Sequence, residues 1–323
     1  MTSDAAEMSP SVLLARCIRY ARGRLRRLTF LFLFAGSHLT GALSWRWLAP
    51  VGAGIGSLHY LGQWRTRSRI ARDMSIALDM SMRRAKRCLH EAYRTNDRAV
   101  FEIVALTSSR LNLGAWLEGL KISGFERLQE QAESGQGAIL LGMHMGNGVL
   151  MAGALAARGL PVAVVYRESR KLPDGYLGEV MRRLAVEPVR IDADNPSSGA
   201  RQILRSLRQG KLVLVLMDQA NKHAEGIEVS FLGKRVFMPE GVVRLAGMAR
   251  APIIPVLLRQ ARPHWAFEVV SPSTVGDDAE GTVRQLTRLM EAQVRSYPEY
   301  WSWHQRRWRR LPLAAEADAA DST

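Results

Sequence analysis

The stretch GAILLGMHMGNGVLMAGALAARG, residues 137–159, decides how the rest of the chain is read. It opens on an uninterrupted apolar run of strand length, GAILLG, as expected of a strand covered on both faces. From Asn147 onward, NGVLMAGALAARG reads as an apolar helix. His144 lies between the two, at the C-terminal end of the strand, where open α/β sheets gather their sites. Glycines at 142, 146 and 148 keep the turn open to a substrate, and the helix N-terminus offers backbone N–H groups to an anion. A histidine there suits general-base work on a hydroxyl or amine, because its pKa lies near the working pH. The competing reading is a histidine that only caps the helix or fills the core.

Three further apolar runs repeat the pattern: VAVVY (162–166), LVLVLM (212–217) and IIPVLL (253–258), with helical patterns between most of them. Upstream, residues 69–120 place apolar side chains at three-to-four spacing between charges, as amphipathic helices do. The predicted fold class is α/β, with a mostly parallel central sheet covered by helices over about 125–312 and an N-terminal helical, membrane-associating region. The predicted division is a basic, apolar N-terminal region at 1–64, a helical plus α/β domain at 65–312, and a disordered tail at 313–323.

With 45 Lys and Arg against 30 Asp and Glu, the net charge of +15 points to anionic partners: phospholipid headgroups, phosphorylated substrates, an acidic carrier protein or nucleic acid. Two cysteines, Cys17 and Cys88, with no metal-ligand spacing, argue against a disulfide framework and a structural zinc, and for a reducing compartment. Arginines from Arg16 to Arg27 precede an apolar stretch, Leu28 to Trp45. A second stretch, Leu48 to Leu61, is followed by Arg65, Arg67, Arg69 and Arg72. Basic residues on both flanks fit a helical hairpin or an interfacial helix better than a single crossing, with a buried helix as the alternative. No small-residue cleavage site marks a removed signal peptide. GMHMGNG fits neither the dinucleotide-binding nor the P-loop pattern. WSWHQRRWRR (301–310) mixes aromatic and basic residues as single-strand nucleic-acid binders do. A helix with Trp301 and Trp308 on one face, interfacial or capping the core, explains it as well, and no nucleic-acid partner is expected.

GMHMGNGV resembles the first motif of the glycerolipid and lysophospholipid acyltransferase superfamily, a His followed by an Asp or Glu. Within it the chain is most similar to the late acyltransferases of lipid A biosynthesis, the lauroyl and myristoyl transferases, whose motif commonly reads His, apolar, Gly, Asn, aromatic, Glu. Other blocks agree in order and spacing. They are VVYRESRKLPDGYLGEVMRR with Arg167, the Asp-Gln block at Asp218, the Phe-x-Gly and Ile-Pro blocks, and the ending YPEYWSWHQRRWRR, like Pro-Glu-x-Trp-x-Trp. The resemblance covers roughly 45–312.

It implies transfer of a fatty acyl group from an acyl carrier protein or coenzyme A thioester to a hydroxyl or amine of a lipid A-type or other glycolipid. No metal or redox cofactor is needed. The place would be the cytoplasmic face of a bacterial inner membrane, beside anionic lipid. His144 would be the general base; backbone N–H groups near Gly146, Asn147 and Gly148 would receive the oxyanion. Arg167 would pair with a phosphate, a match for its guanidinium fork. Glu240 and Gly241, in FMPEG, would bind the acceptor.

One position departs from the pattern: Val149 stands where the family places its carboxylate. In the usual pair the acid fixes the imidazole tautomer and stabilises the imidazolium. By analogy with serine hydrolases its loss costs about 10⁴ in rate, or about 5.5 kcal/mol. Asp218, Glu240 and Glu168 are the carboxylates that block order offers instead. Asp218 leads them, since an acid ending an apolar strand must find a partner or solvent. An acceptor that is easier to activate, such as an amine, would also accommodate the valine. So would a lipid- or carrier-binding protein that no longer catalyses.

Overall fold

A computed structural model describes residues 45–108, 111–168, 174–192, 195–219, 226–273 and 278–304. The first apolar stretch up to Ser44, the arginines before it, Trp308 and the tail 313–323 lie outside these residues. In chain order the elements are α1 (Trp45–Gly62), α2 (Trp64–Ala77), α3 (Met82–Ala105), α4 (Leu113–Glu118), β1 (Lys121–Ser123), α5 (Phe125–Glu133), β2 (Ala138–Gly142), α6 (Gly148–Ala157), β3 (Val162–Tyr166) and α7 (Tyr176–Arg183). Then come β4 (Glu187–Arg190), α8 (Pro196–Arg208), β5 (Leu212–Leu216), β6 (Ile227–Phe231), β7 (Lys234–Met238), α9 (Gly241–Ala249), β8 (Ile253–Gln260), β9 (Ala266–Val269), α10 (Ala279–Ser296) and a 3₁₀ turn at Pro298–Tyr300.

The four apolar runs read from the sequence are β2, β3, β5 and β8, neighbours at the centre of a seven-stranded sheet ordered β1-β9-β8-β2-β5-β3-β4 among the described residues. From β8 to β4 the strands are parallel; β9 runs antiparallel to β8, and β1 follows β9. The protein is thus α/β, a mostly parallel mixed sheet flanked by helices. All five residues of β2 are buried between β5 and β8, with Leu140 level with Leu214 and Ile254. The helix that follows, α6, buries Leu150 through Leu155 without a break, so a helix lacking a polar face ends up inside. Burying each of its leucines contributes about 1.5–3 kcal/mol.

The strands that the sequence did not reveal are short and half polar. β1 and β4 are the sheet edges, and Pro188 within β4 sits where a missing N–H does least harm. The β6–β7 hairpin turns on Leu232 and Gly233, both at positive φ, with no Asn-Gly to announce it.

Among the described residues no helix is long and apolar enough to cross a membrane. The second apolar stretch forms α1, which lies against α3. A Cβ at Gly56 would stand 2.5 Å from the Tyr93 carbonyl oxygen, and one at Gly52 2.8 Å from the Arg98 Cα, so the two glycines set how closely the helices approach. On the side of α1 turned away from α3, Trp47, Val51 and Leu58 are exposed. α3 starts on Ser81, whose side chain accepts from the Arg84 N–H at 3.3 Å. Its buried face is built mostly of small and apolar residues and includes one ion pair, Arg98 with Glu102.

Candidate active site

β2 ends at Gly142 and β5 at Leu216, partners in register. His144 and Asp218 each lie two residues beyond, so parallel pairing brings an imidazole and a carboxylate to the same point at the C-terminal edge of the sheet. His144 Nδ1 is 2.7 Å from Asp218 Oδ1. The same carboxylate accepts, at Oδ2, the His144 backbone N–H at 2.9 Å and the Trp301 indole N–H at 2.7 Å. Asp218 is only 4% exposed. Burial pushes its carboxyl up, but the imidazole charge and the hydrogen bonds from His144 and Trp301 outweigh it and hold the group below its ordinary value. When the imidazole is neutral and Nδ1–H donates to Asp218, Nε2 presents the lone pair, and the Gln219 side-chain amide stands 3.0 Å from it. The His144 side chain stays about a quarter exposed.

Trp301 is not on a helical face. The chain leaves α10, passes the 3₁₀ turn and pairs Trp301 in an isolated bridge with Met145, while Ser302 N–H donates to the His144 carbonyl at 3.2 Å. The anticipated helix carrying Trp301 is replaced because its indole nitrogen must find an acceptor once the ring is buried, and Asp218 is that acceptor.

The turn after His144 is braced from α3. Gly146 takes φ 68, and a Cβ there would lie 3.0 Å from both Leu258 and Trp265 side-chain atoms, so only glycine fits. Asn147 is buried; its oxygen caps α6 by accepting Leu150 N–H at 3.0 Å, and its amide donates to Glu102 Oε2 at 3.1 Å. Glu102, 1% exposed, also accepts Trp265 Nε1 at 2.7 Å and Arg98 Nε at 2.7 Å. Arg98 stacks over the Trp265 ring at 4.2 Å. The side chain of Asn147 therefore faces inward and shapes the turn. Nothing in the sequence marked Glu102, an acid on a charged amphipathic helix more than forty residues upstream.

Of the three candidate carboxylates, Asp218 contacts His144. Glu240 reaches Arg244 at 3.0 Å, at the start of α9, and Glu168 accepts the Gly175 N–H at 3.0 Å. Gly241 is exposed, with open space where a Cβ would stand. Arg167 follows β3 directly and is exposed, on the same sheet edge as His144 and Asp218. Val149 begins α6, partly buried against the core. Beneath the His144 turn lies an apolar cavity of only about 10 Å³, lined by Gly142, Met143, Met145, Gly148 and Met151 with residues of β5, β8 and β9.

Fold and site together define an α/β protein whose histidine-centred site occupies the C-terminal edge of a mostly parallel sheet. Residues 21–310 match the family of bacterial lipid A biosynthesis acyltransferases, and the chain belongs to that family. It is an acyltransferase of lipid biosynthesis by that membership. A phosphatidylinositol mannoside acyltransferase of Mycolicibacterium smegmatis is 24% identical over 215 residues, 65% of this chain and 68% of the relative. A lipid A biosynthesis acyltransferase of Haemophilus influenzae is 22% identical over 183 residues, 56% of each chain; this chain thus spans little more than half of that relative's length.

Proposed function

We propose that the protein transfers a fatty acyl group from a carrier-protein or coenzyme A thioester to a hydroxyl of a glycolipid, with His144 as general base and Asp218 in place of the acid that Val149 displaces. The observation that carries this is the 2.7 Å contact between His144 Nδ1 and Asp218 Oδ1. It supplies the tautomer control and imidazolium stabilisation that the motif acid would give.

The acceptor hydroxyl takes the position at Nε2 that the Gln219 amide occupies. Nε2 removes its proton as the oxygen attacks the thioester carbonyl. Backbone N–H groups of the Gly146 to Gly148 turn face the resulting oxyanion, and on collapse the C–S bond breaks and Nε2–H returns the proton to the thiolate. No proton is left over. Arg167, on the same edge, pairs with a phosphate of donor or acceptor, and Glu240 and Gly241 border the acceptor. The cavity under the turn, about 10 Å³, is far too small for an acyl chain as it stands; a chain entering there would need the flexible methionines around it to rotate.

The relatives' names, a lipid A transferase and a phosphatidylinositol mannoside transferase, support an acceptor with a sugar headgroup on a membrane lipid. The exposed Trp47, Val51 and Leu58 of α1, beside the arginines of α2, support docking on an anionic membrane surface, the cytoplasmic face of the inner membrane. Val149 by itself favours a protein that binds lipid or carrier without turnover. Labelled acyl carrier thioester and acyl-CoA, incubated with the purified protein and a panel of glycolipid acceptors, decide between the two. Transfer that disappears in His144→Ala is the expected result. Absence of transfer from either donor to every acceptor would leave binding as the function.

A further inference from the structure

A second cavity, of about 710 Å³, lies between α1, α3 and the turn joining β8 to β9. That turn follows the C-terminal end of β8, a strand parallel to β2, so the cavity opens on the same side of the sheet as His144. Glu102 is shared: it lines the cavity and accepts from Asn147, three residues beyond His144. The volume is that of a site for a small-molecule or headgroup ligand.

The lining is strongly basic. Arg46, Arg94, Arg98, Arg262 and His264 face it, against one carboxylate, Glu102. The guanidiniums of Arg94, Arg98 and Arg262 are held in place before any ligand arrives. Arg94 Nη1 donates to Ser57 Oγ at 2.8 Å, Arg262 is tied to Glu91, and Arg98 is tied to Glu102 and the Ala261 carbonyl. Each guanidinium has five donors, and these contacts use only some of them. Nε of Arg94 is buried and forms an ion pair with Glu91 Oε1, 3.4 Å away. The wall given by α1 adds an apolar component: Ala49, Pro50 and Ala53 face the cavity, while Trp47, Val51 and Leu58 of the same helix face outward.

We infer that this cavity binds the phosphate-bearing headgroup of a membrane lipid, through Arg46, Arg94 and Arg262, with the lipid's tails on the apolar side of α1. This places a phosphate site apart from Arg167 and on the opposite side of the Glu102–Asn147 brace from the imidazole. The reading of the protein as a lipid acyltransferase says what the bound lipid is for; the binding itself does not depend on it.

The test is calorimetric titration of the full chain with dihexanoyl phosphatidic acid, with inorganic phosphate, and with dihexanoylglycerol, which has the same tails and no phosphate. The phosphatidic acid should saturate a single site, and the Arg46→Gln/Arg262→Gln protein should bind it at least about tenfold more weakly, as loss of charge-assisted hydrogen bonds requires. Ala53→Trp, which fills the cavity without changing charge, should weaken it as well, and stands alone if the double variant does not fold. Unchanged affinity in both variants overturns the assignment. So does dihexanoylglycerol binding as tightly, which would make the cavity merely apolar, or inorganic phosphate binding as tightly, which would make it a site for free phosphate. His144→Ala should bind the lipid like the parent protein. If the lipid binds while no acyl transfer is found in any assay, the catalytic reading fails and the cavity assignment stands.

Discussion

The Trp301 indole donates to Asp218 Oδ2 across 83 residues of sequence, tying the segment after α10 to the carboxylate that holds His144. The oxygen it occupies is the one not engaged by the imidazole, so the carboxylate cannot rotate away from Nδ1. Trp301→Phe keeps the ring bulk and removes only that donor. A hydrogen bond to a charged group is worth about 1.5–3 kcal/mol, so kcat should fall by about tenfold or more with KM nearly unchanged. Steady-state kinetics with a saturating acyl donor measure both. A rise in KM at constant kcat would assign the indole to substrate binding instead.

Asp218→Asn leaves the shape and removes the charge. The expected loss in kcat is about 10⁴, the size seen when a histidine loses its orienting carboxylate. Stability changes with pH in a defined sense. The folded pKa of Asp218 is depressed, so the folded protein binds its proton less tightly than the unfolded chain, where the value is about 3.9. The stabilisation is therefore fully present above that value and is lost as pH falls through the folded one. Urea unfolding of parent and variant should differ most near neutrality, and the gap should close as the solution is acidified below about pH 4. A gap independent of pH would mean that the carboxylate's charge is not what the fold uses.

The centre of this fold was legible because strands buried on both faces cannot hide their composition: β2, β3, β5 and β8 stand out as apolar runs. β1, β4 and β9 were not, since their few residues mix polar and apolar side chains without a period. His144 was visible from its place between strand and helix. Asp218 was one of three possibilities because the sequence does not say which strands are neighbours; the β2–β5 register brings it beside His144. Trp301 was misread since its aromatic and basic neighbours follow a helix-like pattern, whereas its geometry is set by one distant acceptor. Glu102 was illegible for a different reason. A buried acid on a charged helix looks, in sequence, like any solvated one.

Val149→Glu restores the acid that the family motif places there. Nδ1 of His144 already has Asp218, and the valine is partly buried against the core at the start of α6. The added carboxylate should bring no gain in kcat and should lower stability by about 1–3 kcal/mol through partial burial of a polar group. Thermal unfolding and turnover, measured side by side, check this. A variant faster than the parent would show that Asp218 does not do the orienting.

Glu102 accepts from Arg98, Trp265 and Asn147 at once. Glu102→Gln leaves the Arg98 charge buried without its counterion, and breaking a buried pair in this way costs about 3–5 kcal/mol. The double variant Arg98→Met/Glu102→Leu should recover much of that stability, because the uncompensated charge is gone. It should not recover kcat, since Asn147 still lacks the acceptor that anchors the turn after His144. Chemical denaturation and kcat for both proteins test the point. Full recovery of both would reduce Glu102 to a partner of Arg98.

On α1, Trp47 is 62% and Leu58 70% exposed, and α2 continues with Arg65, Arg69 and Arg72 on its exposed surface. Leaving two large apolar side chains in water has no structural return, whereas each gains about 1.5–3 kcal/mol if a lipid surface takes it up. The arginines add about 1 kcal/mol each near an anionic surface, a contribution that salt screens. Trp47→Ser/Leu58→Ser should therefore lower binding to anionic vesicles by about a hundredfold or more in cosedimentation at any ionic strength. Arg65→Gln/Arg69→Gln/Arg72→Gln should lower it only at low salt. If the apolar pair can be removed without loss of vesicle binding, α1 is not the docking element, and the membrane surface must be met by residues upstream of Trp45.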